Sequence, residues 1–387
     1  MTTPAPASPA SGPTLSVVLF SLHWVEYLIE LANAFTARGH RIAAVFSQGR
    51  VDDTVGGELD RLLDPRVARL AVKDYPIGLR DPRQTLSAAK ILAFVRHARP
   101  DVLHIQDSTN GIVALCLPLW RSVPIVLTVH DVSTHPGRDS GGPGRRGLVR
   151  EKLRSRADAV IVHGEALRRR YLEQYDVPAE RVQCIPHGCY GLFRHWSQPT
   201  VQRERRAILF FGRIELYKGL ANLIDAFRLV RARCPDARLI IAGGGGDLER
   251  HREALADLPG CELHAGYVST ENVAALFQRA TVAVLPYTEG SQSGVTRIAY
   301  PFGVPVVVTD VGSIPESVDR GRSGLVVPPN DTQALANALI AVLTDDDLCS
   351  RLSRGAAAMA AGPMSWAVVA EKQEALLSEV VAMRGAS

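Results

Sequence analysis

The sequence predicts an α/β protein built from two successive doubly wound domains. Three observations carry this expectation. Short apolar runs alternate with amphipathic helical stretches along most of the chain, the pattern of strand–helix–strand units around a parallel sheet. The alternation breaks once, between Gly188 and Arg206, where turn residues and mixed charge show no period. The length, 387 residues, suits two domains or three at about 150 residues each.

The first series opens on LSVVLF (15–20), an apolar run short enough for a buried strand. In VEYLIELANAFTARGH, Tyr27, Leu28, Leu31, Ala32 and Phe35 recur at helical spacing, and Gly39 is a suitable stop. Further strands are expected at IAAVF (42–46), DVLHI (101–105), PIVLTV (124–129), DAVIV (158–162) and RVQCIP (181–186). A linker is expected near 192–206. The second series begins at AILFFG (207–212), followed by the amphipathic helix GLANLIDAFRLVRAR. Its later strands are RLIIAG (238–243), CELHAG (261–266), VAVLP (282–286), VPVVVTD (304–310) and GLVVP (324–328). The domains then run over 15–197 and 206–365 and face a central cleft. Open parallel sheets bind ligands outside the carboxyl ends of their strands, so chemistry is expected there.

Composition narrows the class. With 46% hydrophobic and 22% charged residues, the chain is neither wholly disordered, collagen-like nor a small disulfide scaffold. Its net charge of +4, from 44 basic and 40 acidic residues, is too balanced to suggest nucleic acid as a partner. The charge is uneven, with +6 over residues 1–200 and −2 over the rest. The six cysteines form no Cys-x-x-Cys pair and stand beside no histidines at zinc-ligand spacing, so we expect reduced thiols and no metal. MTTPAPASPASGP lacks a charged leader and apolar core, so it is not read as a signal peptide, and residues 1–14 read as a disordered tail. No apolar run reaches the ~20 residues that span a bilayer. A cytoplasmic protein is expected.

Two segments carry the chemistry. In FFGRIELYKG (210–219), a strand ends at Gly212, Arg213 and Lys218 follow, and a helix opens near Gly219. Two cations beside a helix start suit a diphosphate, with Arg gripping two oxygens and Lys supplying a compact charge. The plainer alternative is a pair of solvated loop cations. In LPYTEGSQSGVTRIAYPFGVPVVVTDVGSIPE (285–316), Glu289 and then Gly290, Ser291, Gln292, Ser293 and Gly294 lead into a helix. A carboxylate and backbone N–H groups there suit sugar hydroxyls, although the same residues also make an ordinary helix cap.

Together with GHRIAAV, TVHD, VIVHGEALRRRYLEQYDVPAERVQCIPHG, LIIAGGG and GLVVPPND, these segments give the chain its resemblance to the retaining glycosyltransferases of family four. It runs from about residue 15 to the C-terminus. It implies the GT-B fold, two facing Rossmann-like domains, with a last helix (366–387) that returns to the first domain. It implies that Arg213 and Lys218 hold the donor diphosphate and stabilise it as it leaves. Glu289 matches the first of the family's paired glutamates, which holds the donor sugar, and the backbone of 290–294 would touch the same sugar. His130, in TVHD, matches a histidine near the donor sugar; its alternative is a satisfied histidine at a strand end. We also place Gly212, Tyr267 and Val268 among the donor-binding residues. The family's independence of metal implies no cofactor.

The sequence departs from the family pattern twice. At the second glutamate position, which normally contacts the nucleotide ribose, stands Arg297, or Ile298 if the alignment is anchored on Gly303 and Pro305. Arg297 is then either a third diphosphate cation or a solvent-facing residue. SQSG replaces Gly-Phe-Gly, which suggests a variant subgroup. The loop after the first strand, normally glycine-rich, is SLHWVEY, so His23, Trp24 and Glu26 are candidates for an acceptor pocket; Trp24 as plain core is the alternative. His163, Gly164, His187 and Gly188 match landmarks with turn or packing roles, and GGGG (243–246) reads as a tight turn. The segment 137–156 reads as a flexible loop before a solvated basic helix, with contact to acceptor or anionic lipid, and so a weak peripheral membrane association, left open. The expected function is transfer of a sugar from a UDP- or GDP-sugar to an acceptor hydroxyl of a glycan, a lipid-linked intermediate or a small natural product. A GT-B nucleotide-sugar epimerase and a non-catalytic sugar-nucleotide binder are the alternatives.

Overall fold

The computed structural model describes residues 13–73, 82–108, 110–132, 145–290 and 292–385. The expected tail over 1–14 falls almost wholly outside them, and 137–144, the part of 137–156 expected to be a flexible loop, lies wholly outside them. Among the described residues, 13–132, 145–186 and 366–385 form one compact unit, and 187–365 form a second.

Seven parallel strands make the sheet of the first unit. They are β1 (Ser16–Ser21), β2 (Arg41–Ser47), β3 (Ala68–Val72), β4 (Val102–Gln106), β5 (Ile125–Val129), β6 (Ala159–Val162) and β7 (Val182–Cys184), in the order β3-β2-β1-β4-β5-β6-β7. Every residue of β1, β4, β5 and β6 is buried, as helices on both faces of a parallel sheet require. The helix Val25–Ala37 buries Tyr27, Leu28, Leu31, Ala32 and Phe35. Gly39 ends it at φ 95°, a conformation that costs glycine no steric strain. The last helix, Trp366–Gly385, belongs to this unit. Its Glu374 pairs with Arg38 at 2.5 Å and lies 3.3 Å from His40, and its Gln373 donates to the Tyr27 hydroxyl at 2.9 Å.

The second unit holds six parallel strands, β8 (Ala207–Phe211), β9 (Arg238–Gly243), β10 (Cys261–Ala265), β11 (Val282–Leu285), β12 (Val306–Thr309) and β13 (Gly324–Val327), in the order β10-β9-β8-β11-β12-β13. This unit also takes in 187–206, the stretch expected to contain the linker. Cys189, Tyr190, Leu192 and Phe193 are buried there, and a 3-10 helix runs over Gly191–Trp196. Turn-forming residues hid a packed segment.

Each sheet reverses its strand order at its first strand. β1 has β2 on one side and β4 on the other, and β8 stands in the same way between β9 and β11. Such a reversal opens a crevice at the carboxyl ends of the central strands. Among the described residues no helix is long and apolar enough to cross a membrane.

Candidate active site

In the second unit, the two segments singled out by sequence meet at the β8/β11 reversal. The chain leaves β8 at Gly212 (φ 111°), turns through exposed Arg213 and buried Ile214, and makes a 3-10 turn at Leu216–Lys218. Gly219 follows in the left-handed region, and a Cβ built on it would stand 1.9 Å from the Pro286 carbonyl oxygen. Only glycine lets the helix Leu220–Arg233 start so close to the end of β11. Across this contact Thr288 N–H donates to Tyr217 O at 2.8 Å.

Lys218 Nζ donates to the Tyr287 hydroxyl at 2.6 Å and lies 3.9 Å from the centroid of that ring. The Tyr287 hydroxyl is 3.0 Å from Ser293 Oγ, which accepts from Val295 N–H. Thr309 Oγ1 donates to Tyr287 O at 2.5 Å and so holds the tyrosine from β12. A chain Lys218–Tyr287–Ser293 therefore joins the cation loop to the loop before the helix Val295–Ala299. Lys218 is half-buried, and its ammonium has N–H groups left for a ligand after one is given to Tyr287. Tyr287, 1% exposed, was passed over in the sequence. Its place directly after the strand-ending LP was the available signal.

The other donor candidates divide by exposure. Arg213, Glu289 and Gly294 are exposed, Gly212, Gly290 and Gln292 are half-buried, and Ser293 is buried; Ser291 lies outside the described residues. Tyr267, 78% exposed, and half-buried Val268 follow the edge strand β10. Their loop is tied inward by Gly266 N–H, which donates to Gly243 O at 3.0 Å. The GGGG turn has a steric origin: Cβ atoms on Gly243 and Gly245 would stand 1.9 Å from Gly212 O and 2.1 Å from Ile214 O.

In the first unit, the candidates gather at the ends of β1, β4 and β5. Ser21 Oγ accepts from the Trp24 N–H at 2.8 Å and the His23 N–H at 3.2 Å. Trp24 is half-buried, not core, and its indole stacks on the His130 ring at 4.2 Å and 27°. His130 Nε2 and Gln106 Oε1 are 2.7 Å apart, and Tyr27 meets the same imidazole edge-on at 5.3 Å. Burial, followed by the nearby His163, pulls the His130 pKa well below its ordinary value, so the ring is neutral at pH 7. His104, bonded to Thr128, is pulled down to about 3 by burial in the same way. His23 is exposed. Glu26 is half-buried, and burial raises its carboxyl pKa against the pull of its backbone bond and Arg50.

Arg154 was also missed. It lies on the helix Arg145–Arg156, which reads as solvated from sequence, yet it is 2% exposed. Its guanidinium pairs with Asp107 at 2.5 Å and donates to Asp131 O at 2.9 Å, Val132 O at 3.2 Å and the Tyr175 hydroxyl at 2.6 Å. It thus ties the turn after β4 to the two residues after His130. His163 Nδ1 lies 2.9 Å from Ile185 O, and His187 Nε2 lies 3.1 Å from the Tyr190 hydroxyl, contacts that suit packing roles.

Comparison with known proteins places the chain. Residues 25–189 match the sequence profile described as Glycosyltransferase Family 4, and residues 205–345 match that of Glycosyl transferases group 1. The D-inositol 3-phosphate glycosyltransferase of Corynebacterium jeikeium is 30% identical over 319 residues, 75% of each chain. The chain belongs to glycosyltransferase family 4. A glycogen synthase of Mycobacterium tuberculosis (strain ATCC 25618 / H37Rv) is 28% identical over 291 residues, 73% of this chain and 69% of the other. The structure of Anabaena Alr3699/HepE in complex with UDP-glucose aligns at a TM-score of 0.68 and 18% identity, over 94% of this chain and 99% of the other. The protein is a glycosyltransferase with the two Rossmann-like domains of the GT-B fold.

At the second glutamate position this family 4 member differs from the expectation of a solvent-facing arginine. Arg297 is 5% exposed, and Ile298 is buried too. The guanidinium donates to Met364 Sδ at 3.4 Å, and burial lowers its pKa. The residues around it, Val295, Thr296, Ile298, Ala299 and Tyr300, form a buried stretch into which the arginine is carried. A buried charge without an acid partner opposes folding. Arg297→Met is therefore expected to stabilise the protein by about 1 kcal/mol or more in urea unfolding; a loss of stability would show that the charge is compensated.

Proposed function

We propose that this glycosyltransferase is a retaining enzyme, without metal, that moves a sugar from a UDP- or GDP-sugar to an acceptor hydroxyl. The observation that carries this reading is the Lys218–Tyr287–Ser293 chain at the β8/β11 reversal. It supports a diphosphate held by Lys218 and Arg213, with Gly212 giving close backbone approach. Glu289 and the backbone of 290–294 hold the transferred sugar, and Tyr267 and Val268 contact the nucleotide. The acceptor lies against His23, Trp24 and Glu26, with neutral His130 behind the indole, holding it in place. The acceptor oxygen bonds to the anomeric carbon on the face from which the diphosphate departs, the glycosidic C–O bond breaks, and the leaving phosphate oxygen takes the acceptor proton. Lys218 and Arg213 stabilise the charge that builds on that phosphate. UDP as nucleotide is favoured by the structural neighbour solved with UDP-glucose.

Thermal unfolding with UDP- and GDP-sugars tests the donor, since ligand at 100 times its dissociation constant stabilises by about 2.7 kcal/mol. Release of nucleoside diphosphate only when acceptor is present supports transfer; release independent of acceptor counts against it. Glu289 is exposed, and a carboxylate offers two charged oxygens that only accept, where glutamine offers one neutral acceptor and an amide donor. Glu289→Gln is expected to lower turnover about tenfold or more through a lost charged hydrogen bond worth ~1.5–3 kcal/mol. Calorimetric affinity for the free diphosphate is expected to hold. A parallel collapse of that affinity would make Glu289 a nucleotide residue.

A further inference from the structure

We infer that Trp24 is the stacking platform for the acceptor, and that the acceptor therefore presents a ring, a pyranose or a cyclitol, rather than an open chain. This deepens the functional reading above and rests on it for the word acceptor. Position is the first element. Trp24 follows β1 at the strand-order reversal of the first unit, where a parallel sheet offers its ligand crevice. A glycine-poor loop there places a large flat side chain where the backbone would otherwise be bare.

Rigidity is the second element. The Trp24 amide is held by Ser21 Oγ at 2.8 Å, and its indole is backed by His130 at 4.2 Å. His130 is fixed in turn by Gln106 at 2.7 Å and by the edge of Tyr27 at 5.3 Å. Tyr27 packs edge-on against Trp366 at 4.8 Å and accepts from Gln373 Nε2 at 2.9 Å. An indole braced through two further layers loses little freedom when a ligand settles on it. Trp24 itself is only half-buried, so part of its surface is open, while His130 stacks on one face of the indole.

Chemistry supplies the third. An aromatic face carries partial negative charge and attracts the partly positive C–H groups of a flat ring. A sugar or cyclitol ring lays several such groups on one plane, while an open-chain polyol must first be ordered to do so, at an entropic cost. Glu26 and exposed His23 flank the indole in sequence and supply hydrogen-bonding groups for ring hydroxyls. The aromatic body with few polar groups is the usual composition of a small-molecule site.

The test compares rings with chains. Methyl glucoside, methyl mannoside, methyl galactoside and myo-inositol are titrated beside glucitol and mannitol by saturation-transfer NMR, with wild type, Trp24→Phe and Trp24→Ala. The best ring is expected to bind about tenfold more tightly than either open chain, the size of one good aromatic contact. Trp24→Phe should retain most of that preference and Trp24→Ala should abolish it. Equal binding of rings and chains to wild type overturns the inference, as does a ring preference that survives in Trp24→Ala. Thermal stabilisation by UDP or GDP, measured on the same variants, separates this result from the donor reading. If Trp24→Ala loses its ring preference but is stabilised by UDP or GDP as wild type is, the platform stands. If neither UDP nor GDP stabilises any of the proteins while the ring preference is present, the nucleotide reading fails and the ring site stands.

Discussion

Lys218→Ala is expected to slow sugar transfer about 100- to 1,000-fold, the usual cost of removing one preorganised donor from a developing charge. The ammonium is tethered to the Tyr287 hydroxyl at 2.6 Å, so it meets a ligand without first being ordered. The tether also explains why the loss should fall on turnover more than on folding. Tyr287 keeps its bonds to Ser293 and Thr309 when the lysine is gone, and the close contact of Gly219 with Pro286 is backbone. Turnover by diphosphate release, beside a thermal melt, measures both. A folded Lys218→Ala variant with turnover near wild type would remove the diphosphate site from this loop.

Arg154→Met is expected to destabilise the protein by about 3–5 kcal/mol, since breaking a buried ion pair strands the partner charge. That partner is Asp107, and the same guanidinium also satisfies the carbonyls of Asp131 and Val132 and the Tyr175 hydroxyl. Urea unfolding reads the loss. The double variant Asp107→Leu/Arg154→Met should regain part of it, because no charge is then left buried. A loss under about 1 kcal/mol in the single variant would show that water reaches Asp107 and that the pair is worth little more than a surface one. Turnover should fall as well, since Asp131 and Val132 follow directly on His130.

The residues that the sequence made legible are those whose role is local. Strand ends, Gly39 as helix stop and the positions of both sheets' buried strands along the chain follow from hydrophobic runs and turn residues, which act over a few positions. The edge strand β3 escaped because ARLAV alternates poorly and four of its five residues are not buried; it pairs only with β2 and needs no apolar run. Lys218 and Glu289 were visible as chemistry-bearing residues at strand ends.

Partnership was not visible. Tyr287 becomes the link between two loops only because β8 and β11 are neighbours, which strand order decides. Arg154 reads as one more cation on a basic helix until folding brings Asp107 beneath it. Trp24 and His130 stand far apart in sequence and stack because β1 and β5 end on the same side of one sheet, with β4 between them. Arg297 shows the reverse: a charge that composition assigns to solvent is carried inside by the apolar residues around it. Sequence by itself determined the α/β class, the family and the segments that bear the chemistry, because these rest on local pattern. The tertiary structure alone decided which side chains meet and which charges lose their water, because both depend on atoms brought together from distant parts of the chain.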